Sequence, residues 1–270
     1  GLSYTDPLLQ QLFNFRFTEG ALAGHAIGNI ILAALEKCSG SEEKAIAAVA
    51  QMLNVRGDVL PVTLCRTLLS ATLENGDEIK SEHAIDEPEV QGRSPIQALQ
   101  LEPDGPVNPR ALKAIKSADV LVFGPGDLFT STLPNLLVKG VREAVVKSSA
   151  KKVLVVNIMT KPWQTDGFKA SDFVKVFQSY LGDTPEGHVD AVIVNTKKPS
   201  FQGLKQYQQS GAAPVVADMP ALKRTGLHII AASLLCRRTF TRVNGDVLIR
   251  SFLRHDAEKT AKLIWDIATA

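Results

Sequence analysis

The residues whose groups are best suited to binding a ligand lie in the stretch "GPGDLFTST", which follows a short apolar run. Gly124 and Gly126 let a backbone approach a ligand closely, and Thr130 and Ser131 supply hydroxyl groups. Together with the N–H groups of a following helix, such a loop is suited to binding an anion such as phosphate. Asp127 opposes this interpretation, because a carboxylate repels phosphate unless Mg²⁺ or a ribose hydroxyl lies between them. The stretch matches neither a Walker A nor a GxGxxG motif, so spacing alone leaves a tight turn and an anion site equally open.

Two asparagines end later apolar runs and are further candidates. Asn157 and Asn195 can each present an amide to a ligand or tie the backbone of a turn. His25 and Asn29, in "GHAIGN", place polar groups at the predicted start of a helix, although a lone histidine is more often structural.

Two residues nearer the carboxyl end complete the candidates. Tyr207 can stack on a base or cover the edge of the core. Arg254 is a candidate clamp for phosphate or carboxylate, while Asp256 is expected to cap the last helix. The sequence shows no Ser-His-Asp pattern and no metal-ligand spacing, so the residues alone predict a nucleotide-type ligand rather than a named reaction.

Short apolar runs that alternate with helical patterns are expected to position these residues. From Asp119 onward five runs are predicted to be strands, in chain order "DVLVF", "KKVLVVN", "VDAVIVN", "APVVAD" and "LHIIAA". Strands and helices in this alternation predict an α/β fold, a three-layer sandwich with a mostly parallel sheet. Ligands of such sheets collect outside the carboxyl ends of the strands, where the candidate loops would lie.

The first half of the sequence has a different texture. It begins with three helical patterns, the first capped by Asp6 and the third by Ser41. A β-hairpin is predicted around Asn75-Gly76, within an excursion over about 63–103. No change in composition separates a second folding unit, so the sequence predicts a single domain over 1–270.

Bulk properties exclude several classes of protein. The net charge is only +2, from 30 basic and 28 acidic residues without a Lys/Arg run, which argues against a nucleic-acid partner. The apolar runs are too short to span a bilayer, and the chain does not begin with a signal peptide pattern. Three cysteines without paired spacing are typical of a reducing compartment.

Several motifs occurring in one order resemble a known family. "LAGHAIGNIILAAL", "VRGDVLPVTL", "ADVLVFGPGDLFTSTLPNLLV", "VLVVNIMTKPWQTDGFKASDFV" and "RHDAEKTAKLI" are similar to the family that unites bacterial gluconeogenesis factors with 2-phospho-L-lactate transferase. The resemblance implies a Rossmann-like fold and a cytoplasmic protein. Its gluconeogenesis-factor branch, which the hairpin favours, implies regulation of cell shape and binding of a UDP-sugar such as UDP-N-acetylglucosamine. Its transferase branch implies an enzyme that moves a phospholactyl group from a guanylated donor to a deazaflavin with Mg²⁺.

The resemblance also implies site residues. The strand-end loops would line a nucleotide cleft, adding Thr160 to the candidates above, and Tyr207 and Arg254 would contact the nucleotide sugar. Our leading hypothesis is a nucleotide-sugar-binding regulatory protein without turnover, with the transferase as the alternative. A metal is left open, with Mg²⁺ as the candidate, and so is a homodimer.

The sequence departs from the usual family motifs at several places. The Gly-rich "GGGTG" loop and the "ADDGGSSG" segment are absent, so we expect that a βα unit of the family is missing at the amino end. The usual "GSLYTS" and "TQPGET" read "GDLFTS" and "TKPWQT" here. Asp127 and Trp163 are therefore expected to change the ligand preference.

Overall fold

The computed structural model describes residues 6–87, 92–182, 188–205, 207, 211–236 and 252–270. The described residues divide into two compact units, one holding 6–64 and the other holding those from 65 onward, and each is treated by itself. The prediction of a single domain over 1–270 stays a prediction.

Three helices form the first unit: α1 (Pro7–Asn14), α2 (Ile27–Ser39) and α3 (Glu42–Met52). The Asp6 carboxylate accepts a hydrogen bond from the Leu8 N–H at 2.7 Å, which caps α1 as the sequence predicts. A 3₁₀ turn at Gly20–Leu22 precedes α2.

An antiparallel sheet opens the second unit. Its strands are β1 (Leu68–Leu73), β2 (Glu78–Lys80) and β3 (Ile96–Glu102), in the order β2-β1-β3. Strands β1 and β2 pair across the Asn75-Gly76 turn, so the predicted hairpin is confirmed. A short helix, α4 (Glu82–Asp86), follows β2 and buries Ile85 completely.

A parallel sheet forms the core of the same unit. Its strands are β4 (Val120–Phe123), β5 (Lys151–Val155), β6 (Ala191–Asn195) and β7 (His228–Ala232), paired in that order. Strands β5 and β6 are almost wholly buried, as expected for apolar strands covered on both faces. The predicted α/β fold with a parallel sheet is confirmed.

Helices connect and cover these strands. They are α5 (Pro109–Ser117), α6 (Leu133–Leu137), α7 (Val141–Lys147), α8 (Ala170–Leu181), α9 (Phe201–Lys205), α10 (Met219–Arg224) and α11 (Ala257–Thr269). The Asp256 carboxylate accepts a hydrogen bond from the Lys259 N–H, which is the predicted cap of α11. The apolar spacing of "NLLVKGVREAVVKSS" predicts one helix over this segment, and that prediction is wrong: α6 and α7 are separated at Gly140, whose φ of +95° is not helical.

The strand predicted for "APVVAD" is also wrong. Strands β6 and β7 pair directly with each other, which leaves no place between them for this segment. Its backbone instead bonds to the segment that follows β5, with an antiparallel bridge between Met159 and Pro214 and a hydrogen bond from the Val215 N–H to the Ile158 carbonyl. Among the described helices none is long and apolar enough to cross a membrane.

Candidate functional site

Three of the predicted site segments meet at one edge of the parallel sheet. The Gly124–Asp127 loop follows β4, Asn157 lies two residues beyond β5, and Asn195 ends β6. Because β4, β5 and β6 are paired in parallel, their carboxyl ends lie side by side. This is the edge at which open α/β sheets bind their ligands.

The loop after β4 packs closely on its neighbouring strand. Gly124 has a φ of +79°, and a Cβ atom there would lie 2.9 Å from the Val155 carbonyl oxygen. Past the loop, the Asp127 carbonyl accepts hydrogen bonds from the N–H groups of Ser131 and Thr132, at 2.9 and 3.0 Å. These bonds begin a π-helical turn over Leu128–Thr132, a conformation that is frequent at functional sites.

An ion-paired cluster lies beside this loop and joins three segments of the chain. The Lys161 Nζ lies 2.8 Å from the Asp86 Oδ2 and 3.4 Å from the Asp127 Oδ2. The three side chains are only 17% (Lys161), 21% (Asp86) and 33% (Asp127) exposed. The end of α4, the loop after β4 and the segment after β5 are thus tied together through one ammonium group.

Two further side chains complete the set around Asp86. The Gln164 Nε2 donates to the Asp86 Oδ1 at 2.9 Å, and the Thr130 hydroxyl makes a longer contact of 3.4 Å with the same oxygen. Gln164 is 4% exposed, and its Oε1 is buried without a hydrogen-bond partner in the described part of the chain. We call Asp86, Asp127, Thr130, Lys161 and Gln164 the lysine cluster. Its orphaned amide oxygen is an acceptor ready for a donor.

Arg93 holds the backbone on which the lysine cluster is built. Its guanidinium donates twice to the Trp163 carbonyl, at 3.0 and 2.9 Å, and also to the carbonyls of Ala84 and Ile85. One side chain thus fixes α4 against the loop that carries Lys161. Burial lowers the pKa of Arg93 from its ordinary value, against the opposing charges of Asp166 and Asp86.

The charge state of Lys161 follows from its partners. Burial by itself would lower the pKa of this ammonium, but the hydrogen bond to Asp86 and the charge of Asp127 outweigh it, so the pKa lies above its ordinary value. Lys161 is therefore a permanent cation between two carboxylates near neutral pH. Asp127, the residue that opposed phosphate binding in the sequence, is partly neutralised by it.

Several predicted site residues make side-chain hydrogen bonds within the protein. The Thr160 hydroxyl accepts from the Ala213 N–H at 2.9 Å. The Asn195 Oδ1 accepts from the N–H groups of Lys197 and Leu234, which is the turn-tying alternative raised by the sequence. Tyr207 is 5% exposed, and its hydroxyl accepts from the N–H groups of two residues of the segment that precedes α11, Phe252 and Leu253. Their contact with a ligand stays a prediction.

Other predicted residues face outward. Ser131 is exposed at the sheet edge, and the half-buried Asn157 side chain makes no hydrogen bond within the described part of the chain. Arg254 is exposed one residue before His255. His25 and Asn29 are both exposed and belong to the first unit, where they flank the start of α2.

His255 also belongs to this edge, although the sequence did not single it out. Its imidazole hydrogen-bonds to the backbone of Val156, directly after β5, while its Nε2 is buried without a partner in the described part of the chain. Burial lowers the pKa of His255, against this hydrogen bond. In the sequence, the one indication that His255 belongs to the site is its position between Arg254 and Asp256, the cap of the last helix.

A separate cavity of about 400 Å³ lies elsewhere in the second unit. Residues of β3, of the α6–α7 region and of α8 line it, including Gln97, Arg142 and Tyr180. The Tyr180 hydroxyl accepts from the Leu99 N–H at 3.1 Å, and burial raises the pKa of this tyrosine. None of the predicted site residues lines this cavity.

Comparison with known proteins decides the family. The family model described as 2-phospho-L-lactate transferase CofD matches residues 1–235. The chain belongs to this family. The gluconeogenesis factor of Bacillus subtilis (strain 168) is 36% identical over 267 residues, covering 98% of this chain and 79% of that protein. The gluconeogenesis factor of Halalkalibacterium halodurans is 36% identical over 265 residues, covering 97% and 77%.

A relative from Aquifex aeolicus, whose naming as a gluconeogenesis factor is provisional, is 39% identical over 98% of this chain. The fold is shared with a solved structure of a UPF0052 family member from Bacillus halodurans, with a TM-score of 0.86 and 35% identity. That match covers 98% of this chain and 79% of the other. The expected resemblance to the gluconeogenesis-factor and transferase family is confirmed.

The Mg²⁺ that the transferase branch implies does not fit the described residues. Among them, no group of three or more His, Cys, Asp or Glu side chains could hold a metal ion. The carboxylates of Asp86 and Asp127, the acidic residues of the lysine cluster, already have the Lys161 ammonium between their oxygens. A divalent ion between these two carboxylates would lie against the Lys161 ammonium, which repels it.

Proposed function

We propose that this chain binds a nucleotide sugar of the UDP-sugar class at the carboxyl edge of the parallel sheet, and that it acts by binding. The observation that carries the proposal is the convergence of the Gly124–Asp127 loop, Ser131 and Asn157 at that edge. Ser131 is exposed there, and the half-buried Asn157 side chain makes no hydrogen bond within the described part of the chain. The gluconeogenesis-factor names of the relatives support the same class of protein.

The edge offers different chemistry to the two parts of such a ligand. Gly124 and Ser131 are exposed, and a glycine backbone with a neighbouring hydroxyl suits the oxygens of a diphosphate. The Asp127 carboxylate and the Asn157 amide suit hydroxyl and amide groups of a sugar or a ribose. Lys161 lowers the cost of bringing a diphosphate near Asp127.

Titration calorimetry with UDP-N-acetylglucosamine tests the proposal. We expect saturable binding by the wild type and affinities at least about fivefold weaker for Ser131→Ala and Asn157→Ala, because each loses about 1 kcal/mol of hydrogen bonding. Ser117→Ala is the control, since that hydroxyl donates to the Ala114 carbonyl of its own helix. Absence of binding at millimolar ligand refutes the proposal.

The description of the matching family model favours a second candidate, a 2-phospho-L-lactate transferase. Its test is an assay for transfer of a phospholactyl group from a guanylated donor to a deazaflavin, with and without Mg²⁺. We expect no product. Product that disappears in the Asn157→Ala variant would make the chain an enzyme acting at the same edge.

A further inference from the structure

The lysine cluster has the oxygen donors of a divalent-cation site. It brings together the carboxylates of Asp86 and Asp127, the hydroxyl of Thr130 and the side-chain amide of Gln164, whose Nε2 faces Asp86. Carboxylate, hydroxyl and amide oxygens are the ligands that Mg²⁺ and Mn²⁺ prefer. The Gln164 Oε1, on the amide whose Nε2 donates to Asp86, is buried without a partner in the described part of the chain, so one acceptor of the cluster is unused.

The Lys161 ammonium occupies the position that a bridging ion would need. Its Nζ contacts both carboxylates, at 2.8 and 3.4 Å, and its side chain is mostly buried. A divalent ion entering between Asp86 and Asp127 would have to displace this charge into a position where burial opposes it. The two cations therefore exclude each other.

We propose that Lys161 is a built-in cation that replaces a divalent metal at the carboxyl edge, so that ligand binding there is independent of Mg²⁺. The second clause rests on the proposed function, while the first concerns the ligand-free protein. Lys161 is thereby a specificity-determining residue: it selects the free nucleotide sugar over its metal complex. Removing the ammonium opens the oxygen set to a divalent ion.

The ligand-free protein gives the first test, with Mn²⁺ itself as the probe. Free Mn²⁺ is followed by its electron paramagnetic resonance signal during titration. We expect Lys161→Gln to bind one Mn²⁺ at least tenfold more tightly than the wild type, and Lys161→Gln/Asp127→Asn to lose that site. Equal binding by Lys161→Gln and the wild type overturns the proposal.

Two control variants test whether Mn²⁺ binding depends on the charge at Lys161 or on the loss of any buried lysine. Lys161→Arg keeps a cation between the carboxylates and is expected to stay as weak for Mn²⁺ as the wild type. Lys152→Gln removes another buried lysine, whose Nζ donates to the Ser148 carbonyl, and is expected to gain no site. A gain in Lys152→Gln equal to that in Lys161→Gln contradicts a specific role for Lys161.

The wild type by itself gives a second test that needs no variant to fold. Its affinity for UDP-N-acetylglucosamine is expected to agree within twofold in EDTA and in millimolar Mg²⁺. A tenfold gain with Mg²⁺ overturns the inference while leaving the proposed function standing. No binding under either condition refutes the proposed function, and the Mn²⁺ titration still decides the role of Lys161.

Discussion

Removing the Asp86 carboxylate is the sharpest perturbation of the lysine cluster. In Asp86→Ala the Lys161 ammonium loses its 2.8 Å partner and the Gln164 amide loses its 2.9 Å acceptor. A buried donor left unsatisfied costs about 1 to 3 kcal/mol, and breaking a fully buried ion pair costs about 3 to 5 kcal/mol. Lys161 keeps some solvent contact and its second carboxylate, Asp127, which reduces the second figure. We therefore expect the free energy of unfolding to fall by about 2 to 3 kcal/mol.

Asp266→Ala is the matched control, because it breaks a pair of the same 2.8 Å length in a different environment. Lys262 and Asp266 lie on the surface of α11, with side chains 73% and 51% exposed. An exposed i,i+4 pair is worth at most about 0.5 kcal/mol. Urea denaturation followed by circular dichroism compares the variants. If Asp86→Ala lies within about 0.5 kcal/mol of Asp266→Ala, the cluster is not a stabilising network.

Two further predictions concern the same edge. Gly124→Ala should destabilise the protein by at least about 1 kcal/mol more than Gly226→Ala. Both positions have φ near +75°, but only a Cβ atom at Gly124 would meet a carbonyl oxygen, that of Val155. Equal effects of the two substitutions in urea denaturation would contradict this close approach. Because burial lowers the pKa of His255, the unfolded chain binds its proton more tightly, and stability should fall as pH drops below about 6.5 toward that lowered pKa. His255→Gln should flatten this dependence and the exposed His228→Gln should preserve it, so parallel curves for all three proteins would refute the assignment.

The sequence predicted those parts of the fold that depend on local patterns. Continuous apolar runs indicated β4, β5, β6 and β7, and Asn75-Gly76 indicated the hairpin, because each pattern reflects the surroundings of its own segment. The run over 213–218 has the same β-branched composition but forms no strand. Its fate depends on the direct pairing of β6 with β7, which no local pattern contains.

The position of the site followed from the strand-end rule, but its internal partners did not. Asp86 and Lys161 are 75 residues apart and meet only because α4 and the loop after β5 are folded against each other. Asp127 was recognised as an obstacle to phosphate, and its partner was not. The one sequence feature that pointed to these partners was "TKPWQT" in place of the family's "TQPGET", since the altered positions include those of Lys161 and Gln164. Nothing in the sequence indicated that the Thr160 hydroxyl accepts a hydrogen bond from within the protein.

Hydrogen–deuterium exchange with and without UDP-N-acetylglucosamine tests the central claim most directly, because it shows where the ligand lies. The carboxyl-edge account predicts slower exchange over 124–132 and 156–161 at saturating ligand, with the cavity near Gln97 and Tyr180 unchanged. Protection confined to the β3 and α8 segments that line that cavity, with 124–132 unaffected, would contradict it.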